Sequence, residues 1–234
     1  GTVSSNAGAS LSLLSDQPGT MYSAQSWELS GQDTSLNVGA GGIITGDINA
    51  NDAASISFGT TDINQSTNYY GNINAPLASV TMKDTAWQVN KQSVAKSLTL
   101  NGSTLSFNRF GQGGLTSDTL EATNSSFIIN ADGKAADTVT VNQALTGGKN
   151  TLVVIPTTNS VKQGGDPVSL VTAPKNTQSN IFTLNPVSIN AGFHSFTPQL
   201  DVLETDVNKQ WRLEGFYIQP DKAALRTGKS FMDL

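Results

Sequence analysis

The sequence predicts an all-β chain: a parallel β-helix, or solenoid, closed at its C-terminal end by β-structure of a different kind. Three observations carry that expectation. A ten-residue pattern, apolar-x-apolar-x-[Asp/Gly/Asn]-x-x-apolar-x-apolar, recurs without gaps at residues 80–89, 98–107 and 120–129. Within each copy apolar and polar side chains alternate with the period of a half-buried strand. Helical periodicity is nearly absent, and only 221–226 reads as a short helix among the 234 residues.

In chain order, residues 1–34 show no full copy and read as an irregular or incomplete coil. Two weaker copies follow, one on Leu36, Val38 and Ile43 and one on Ile56, Phe58 and Ile63. The three strong copies place Val80, Met82, Trp87 and Val89, then Leu98, Leu100, Leu105 and Phe107, then Leu120, Phe127 and Ile129 on one buried face. Starts at 36, 56, 80, 98 and 120 are spaced 18 to 24 residues apart, which is the length of a solenoid coil. The central Asp84, Gly102 or Asn124 supplies a turn, so each coil holds at least two strands. Stacked at about 4.8 Å, the coils put Val80 under Leu98 and Leu98 under Leu120. A single coil cannot bury its own apolar face, so both ends of the stack need covering. An antiparallel sandwich would also alternate; the recurring turn position is what favours the β-helix.

After about residue 130 the pattern changes, which divides the chain into stem coils at 1–130 and a cap at 131–234. Thr138, Val139 and Val141 open a strand series continued by apolar runs at 152–155, 168–171 and 181–184, with links at 146–149 and 163–166. Residues 211–218 are the most aromatic stretch. Trp211, Leu213, Phe216 and Tyr217 are therefore expected to plug the open end of the stack; a binding platform is the other use of such rings.

Composition narrows the function. Only 13% of residues are charged, the net charge is −5, and the first basic residue is Lys83. A surface rich in Ser, Thr, Asn and Gly with no cation over its first third cannot neutralise a phosphate backbone, so no nucleic-acid partner is expected. The longest apolar run, 152–155, is far short of a membrane span. No cysteine is present, which removes thiolate metal sites, cysteine nucleophiles and disulfides. Without an initiator Met or basic n-region, the chain is expected to begin after any targeting segment or to come from something larger.

Motifs for chemistry are weak. His194 is the only histidine and no Gly-Asp-Ser-Gly occurs, so a Ser-His-Asp triad cannot be assembled. Ser93-Val-Ala-Lys96 matches a Ser-x-x-Lys nucleophile pattern without its companion motifs, in what reads as a link between coils. The ending at 228–230 resembles a Walker A loop, but the required first glycine is Ala223. The glycines at 39–42 with Gly46 and Asp47 hint at a calcium nonapeptide but are not iterated. Asp52 and Asp62 could pair as glycosidase carboxylates; turn duty accounts for both. No cofactor and no metal is expected.

The succession Phe58-Gly-Thr-Thr61, Tyr70-Gly-Asn-Ile73, Ser79-Val-Thr-Met82 with Trp87, and Leu98-Thr-Leu-Asn-Gly-Ser103 resembles the passengers of autotransporters. It continues through Ser125-Ser-Phe127, Asp137-Thr-Val139, Thr151-Leu-Val-Val154, Leu170-Val-Thr-Ala-Pro174 and Trp211-Arg-Leu-Glu-Gly-Phe216. The nearest group is the serine protease autotransporters of enterobacteria and IgA-protease-like proteins, matched from about residue 35 onward. The resemblance implies a right-handed β-helical stem ending in the segment called the autochaperone, in a protein of type V secretion that passes the periplasm and outer membrane to the cell surface or medium. It implies as partners the parent's own C-terminal outer-membrane β-barrel and the barrel-assembly machinery. It implies no catalysis in this chain, with any protease domain lying upstream of Gly1. An alternative is an adhesive surface whose hydroxyl ladders bind a host ligand or a second copy.

Overall fold

The computed structural model describes residues 1–62, 64–108, 112–132, 134–157, 166–185 and 199–214, and the backbone alone of 161–163, 189–191, 194–196 and 216–218. The segment 221–226, expected to be a short helix, lies outside the described residues, as do the side chain of His194 and the motif at 228–230. Nearly every described element is a strand, and parallel pairing winds them into a β-solenoid of about 7 turns.

Each complete coil has three strands, one more than the two visible in the repeat. One face stacks Ser10–Leu13, Ser35–Val38, Ser55–Phe58 and the second halves of Ile73–Lys83, Gln92–Asn101, Gly114–Thr123 and Thr138–Gly148. A second stacks the start of Met21–Ser30 and of Ile43–Ala50 under Thr67–Tyr70, Thr85–Val89, Thr104–Phe107, Ser126–Ala131, Asn150–Pro156 and Phe182–Leu184. The third runs from Thr2–Asn6 through the first halves of Gln92–Asn101, Gly114–Thr123 and Thr138–Gly148 to Val168–Pro174.

Alternation turns one side of each strand into the tube, where like positions lie above one another. On the first face the inward column is Leu11, Leu36, Ile56, Val80, Leu98, Leu120 and Leu145, so Leu98 lies between Val80 and Leu120. On the second it is Tyr22, Ile44, Tyr69, Trp87, Leu105, Phe127, Leu152 and Leu184. From Ile44 to Leu152 every member of that column is buried. The corner between these faces is a column of left-handed residues, Asp84 (φ 46), Gly102 (φ 61), Asn124 (φ 50) and Lys149 (φ 58). Asp, Gly and Asn enter that region readily; nothing in the structure explains the lysine. The turn is itself stacked, because Asp84, Gly102 and Asn124 each donate their N–H to a carbonyl of the next coil at 2.9 to 3.1 Å.

Four readings need correction. In the copy at 36 the inward residue is Ile44 rather than Ile43, because the corner at 39–42 is longer than in the strong copies; Ile63 is outside the described residues. Ser93 and Lys96 lie within the strand Gln92–Asn101 and not in a link. The link expected at 146–149 is strand as far as Gly148. The run at 152–155 is one-sided, with Leu152 and Val154 buried and Ile155 facing solvent, whereas Leu170 with Val171 and Ile181 with Phe182 are buried at successive positions.

On the third face, parallel order ends at Val168–Pro174. One edge of that strand continues the third face, through Val139 with Val171 and Thr140 with Thr172. Its other edge pairs antiparallel with Asn208–Leu213, which in turn pairs antiparallel with Leu200–Glu204. The short strand Val161–Gln163 pairs antiparallel with Phe216–Ile218.

Candidate folding and capping site

The hairpin of Leu200–Glu204 and Asn208–Leu213 carries Trp211 and Leu213 with no exposed surface. Trp211 lies across from Val171 on one side and Val202 on the other. Its indole N–H donates to the Ser179 carbonyl at 3.1 Å. Its ring meets Phe182 edge-on at 5.4 Å, and Phe182 meets Phe127 of the stack edge-on at 5.3 Å. Such perpendicular contacts suit the ring quadrupoles, and here they carry an unbroken apolar path from hairpin to coils. Polar groups on the hairpin are partnered: buried Lys209 donates to the Thr177 carbonyl and lies 3.4 Å from Glu204, and Arg212 donates to Asp201. Phe216 lies in the strand paired with Val161–Gln163 and Tyr217 beside it; the side chains of both are outside the described residues.

A second aromatic cluster lies mid-stack. Phe58 and Tyr69 of one coil and Trp87 of the next stack face to face at 5.1 and 6.0 Å. The Trp87 indole donates to the Gly71 carbonyl at 2.9 Å and the Tyr69 hydroxyl to the Asn72 carbonyl at 2.7 Å. Burial, and secondarily the Asp47 carboxylate, push the Tyr69 phenol well above its ordinary pKa.

Directly after each left-handed corner stands a buried polar residue: Thr85, Ser103, Ser125 and Asn150. The Thr85 N–H donates to Ser103 Oγ at 3.1 Å, the Ser103 N–H to Ser125 Oγ at 3.2 Å and the Ser125 N–H to Asn150 Oδ1 at 3.0 Å. Each hydroxyl then donates to a nearby carbonyl. This ladder follows the solenoid axis and leaves no rung's donor unpaired. The sequence reading missed it, although the sixth position of the strong copies is Thr, Ser and Ser.

The sites weighed for chemistry are occupied by structure. Ser93 is buried and its Oγ accepts the Ile73 N–H at 3.0 Å, while Lys96 is exposed. Asp52 accepts the Gly31 N–H at 2.9 Å and Asp47 the Asn72 N–H at 2.8 Å; Asp62 is exposed, 3.9 Å from Lys83. Asp137 is buried and accepts three N–H donors, from Gly113 and from the backbone and side chain of Asn130, at 2.6 to 2.7 Å. Among the described residues no three His, Cys, Asp or Glu side chains converge as a metal site, and no helix is long and apolar enough to cross a membrane.

Stacked three-strand coils with one end closed by an antiparallel hairpin define a capped parallel β-helix. The crystal structure of the Haemophilus influenzae Hap adhesin shares this fold, with a TM-score of 0.53 at 19% identity over 91% of this chain and 23% of that one. The family follows from sequence: the chain is homologous to the passenger regions of serine protease autotransporters. It is 30% identical over an alignment 249 residues long to the serine protease pet autotransporter of Escherichia coli O44:H18, covering 96% of this chain. It is 34% identical over 164 residues to the serine protease EatA of Escherichia coli O78:H11, covering 70%. It is 29% identical over 214 residues to the serine protease EspP of Escherichia coli O157:H7, covering 82%. The chain spans 19%, 12% and 16% of the lengths of these three relatives. No family model matches it. Passengers of this kind are secreted or displayed at the surface through the outer membrane, which places this chain there.

Proposed function

We propose that this chain is the non-catalytic stem and autochaperone of an autotransporter passenger, the segment on which the rest of the passenger folds as it emerges at the bacterial surface. The observation that carries this reading is the way the stack is closed at its C-terminal end. There Val168–Pro174, the last strand of the third face, pairs on its outer edge with an antiparallel hairpin that buries Trp211 and Leu213. A stack closed at one end is a nucleus to which further coils can add. Folding outside the membrane then opposes back-sliding, with the parent's barrel and the barrel-assembly machinery as partners and any protease domain upstream of this chain.

The test is secretion by the full-length parent carrying Trp211→Ala. Loss of surface passenger, with the barrel still inserted, is the expected result; wild-type secretion together with unchanged stability of the isolated chain refutes the reading. Hydroxyl rows on the outer face, such as Ser35 with Ser10 at 2.9 Å and Ser97 with Ser79 at 3.0 Å, favour a second, adhesive reading. Sedimentation over a concentration series separates the two, since a strict monomer without cell binding removes the adhesive one.

A further inference from the structure

Asn150 gathers backbone groups from separate segments onto one buried amide. Its Oδ1 accepts the Ser125 N–H at 3.0 Å, and its Nδ2 donates to the Ala122 carbonyl at 2.8 Å and to the Ile181 carbonyl at 3.3 Å. Ser125 and Ala122 belong to the coil beneath. Ile181 ends the turn Ser179–Ile181, whose Ser179 carbonyl accepts the Trp211 indole, and the next residue is Phe182. The orientation of the amide is fixed chemically, because a flipped side chain would set NH2 against the Ser125 N–H and oxygen against two carbonyls. The hydroxyl rungs below have one donor each, whereas an amide has two donors besides its acceptor. Asn is thus a residue type that can end the ladder and still hold a segment outside it.

We propose that Asn150 is the positioning residue that couples the cap to the coil stack, so that hairpin and coils open as one cooperative unit. This rests on the capping reading above and assigns the link within it. The three tryptophans report the parts separately: Trp27 in the early coils, Trp87 mid-stack and Trp211 in the cap. In the full chain labelled with 5-fluorotryptophan, a urea titration followed by fluorine NMR should show one midpoint for all three signals. In Asn150→Ala the Trp211 signal should be lost about 1 M urea before that of Trp87. Asn150→Ser, whose hydroxyl can still accept the Ser125 N–H but cannot span to Ile181, should separate the signals too. Ser125→Ala, a change inside the stack, should lower the midpoints while keeping them together.

Equal lowering of all signals in both Asn150 variants overturns the proposal, and so does an early Trp211 transition in the unaltered chain. If the Asn150 variants do not fold, native-state hydrogen exchange of the unaltered chain decides. Common opening energy and urea dependence for the Ser125 amide and the amides of 168–174 and 208–213 supports coupling, and independent opening overturns it. Failure of the capping reading shows elsewhere, as an unchanged refolding rate of the Trp87 signal in Trp211→Ala.

Discussion

Replacing Trp211 by Ala removes the largest side chain at the closed end. Trp211 is fully buried, lies between Val171 and Val202, and meets the Phe182 ring at 5.4 Å. Truncating such a residue costs about 3 to 5 kcal/mol. The orphaned Ser179 carbonyl, which accepts the indole at 3.1 Å, places the change toward the upper end of that range. At about 2 to 4 °C per kcal/mol for a chain of this size, the melting temperature should fall by about 10 to 15 °C. Trp211→Phe keeps a ring against Phe182 and loses only the donor, so it should cost about 1 kcal/mol, or a few degrees. Thermal melts followed by circular dichroism give both numbers, and hydrogen exchange gives their location. Lost protection should concentrate at Val168–Pro174 and Asn208–Leu213, the strands that Trp211 joins. An Ala variant that melts within ~2 °C of the parent chain, or a Phe variant as unstable as the Ala one, would refute the assignment of Trp211 as the cap's apolar anchor.

Two further perturbations test the stack. The raised pKa of Tyr69 means that above about pH 10 the unfolded chain loses a proton that the folded chain keeps. Stability should therefore be complete below that pH and fall above it by up to about 1.4 kcal/mol per pH unit, and Tyr69→Phe should flatten the slope in urea titrations at alkaline pH. Gly147 has φ +104, and a Cβ there would sit 1.9 Å from the Ala122 carbonyl oxygen, whereas one on Gly148 would meet nothing within 4 Å. Gly147→Ala should lower stability by about 1 to 3 kcal/mol and Gly148→Ala by well under 1, as read from chemical denaturation.

Period, turn and inward columns were legible because they share one cause: a coil of nearly constant length forces like residues into like positions. The third strand of each coil was not legible, since its inward positions include Ser93, Ala95 and Ser117. Small or hydroxyl side chains there interrupt the apolar alternation that Trp27, Ile48, Leu115 and Val139 supply in other coils of the same face. The polar ladder was hidden for a related reason: Thr85, Ser103 and Ser125 read as surface under any rule that sorts residues by hydropathy, yet each is buried. Among the capping residues, the alternation of Trp211 and Leu213 was visible, while their partner strand was not. Val168–Pro174 pairs antiparallel with a segment some forty positions away, and no local pattern encodes that choice.

Stability and register are divided between two kinds of column. The apolar column Leu11, Leu36, Ile56, Val80, Leu98, Leu120 and Leu145 mixes three residue types and would accept many exchanges. A coil slipped by two residues would keep its alternation and most of its burial, so hydrophobic packing alone selects weakly among such arrangements. The ladder does not tolerate the slip. If Leu105 replaced Ser103 above Thr85, the Thr85 N–H would face a hydrocarbon, and each buried orphan donor costs about 1 to 3 kcal/mol. Thr85, Ser103 and Ser125 each donate to the coil above, so a slip at any of these steps carries that penalty. The left-handed corner adds its own constraint, because the same slip would force β-branched or bulky residues into positive φ. A solenoid of near-identical coils needs some feature that is not interchangeable, and here it is the short run of hydroxyls and one amide set just inside the corner.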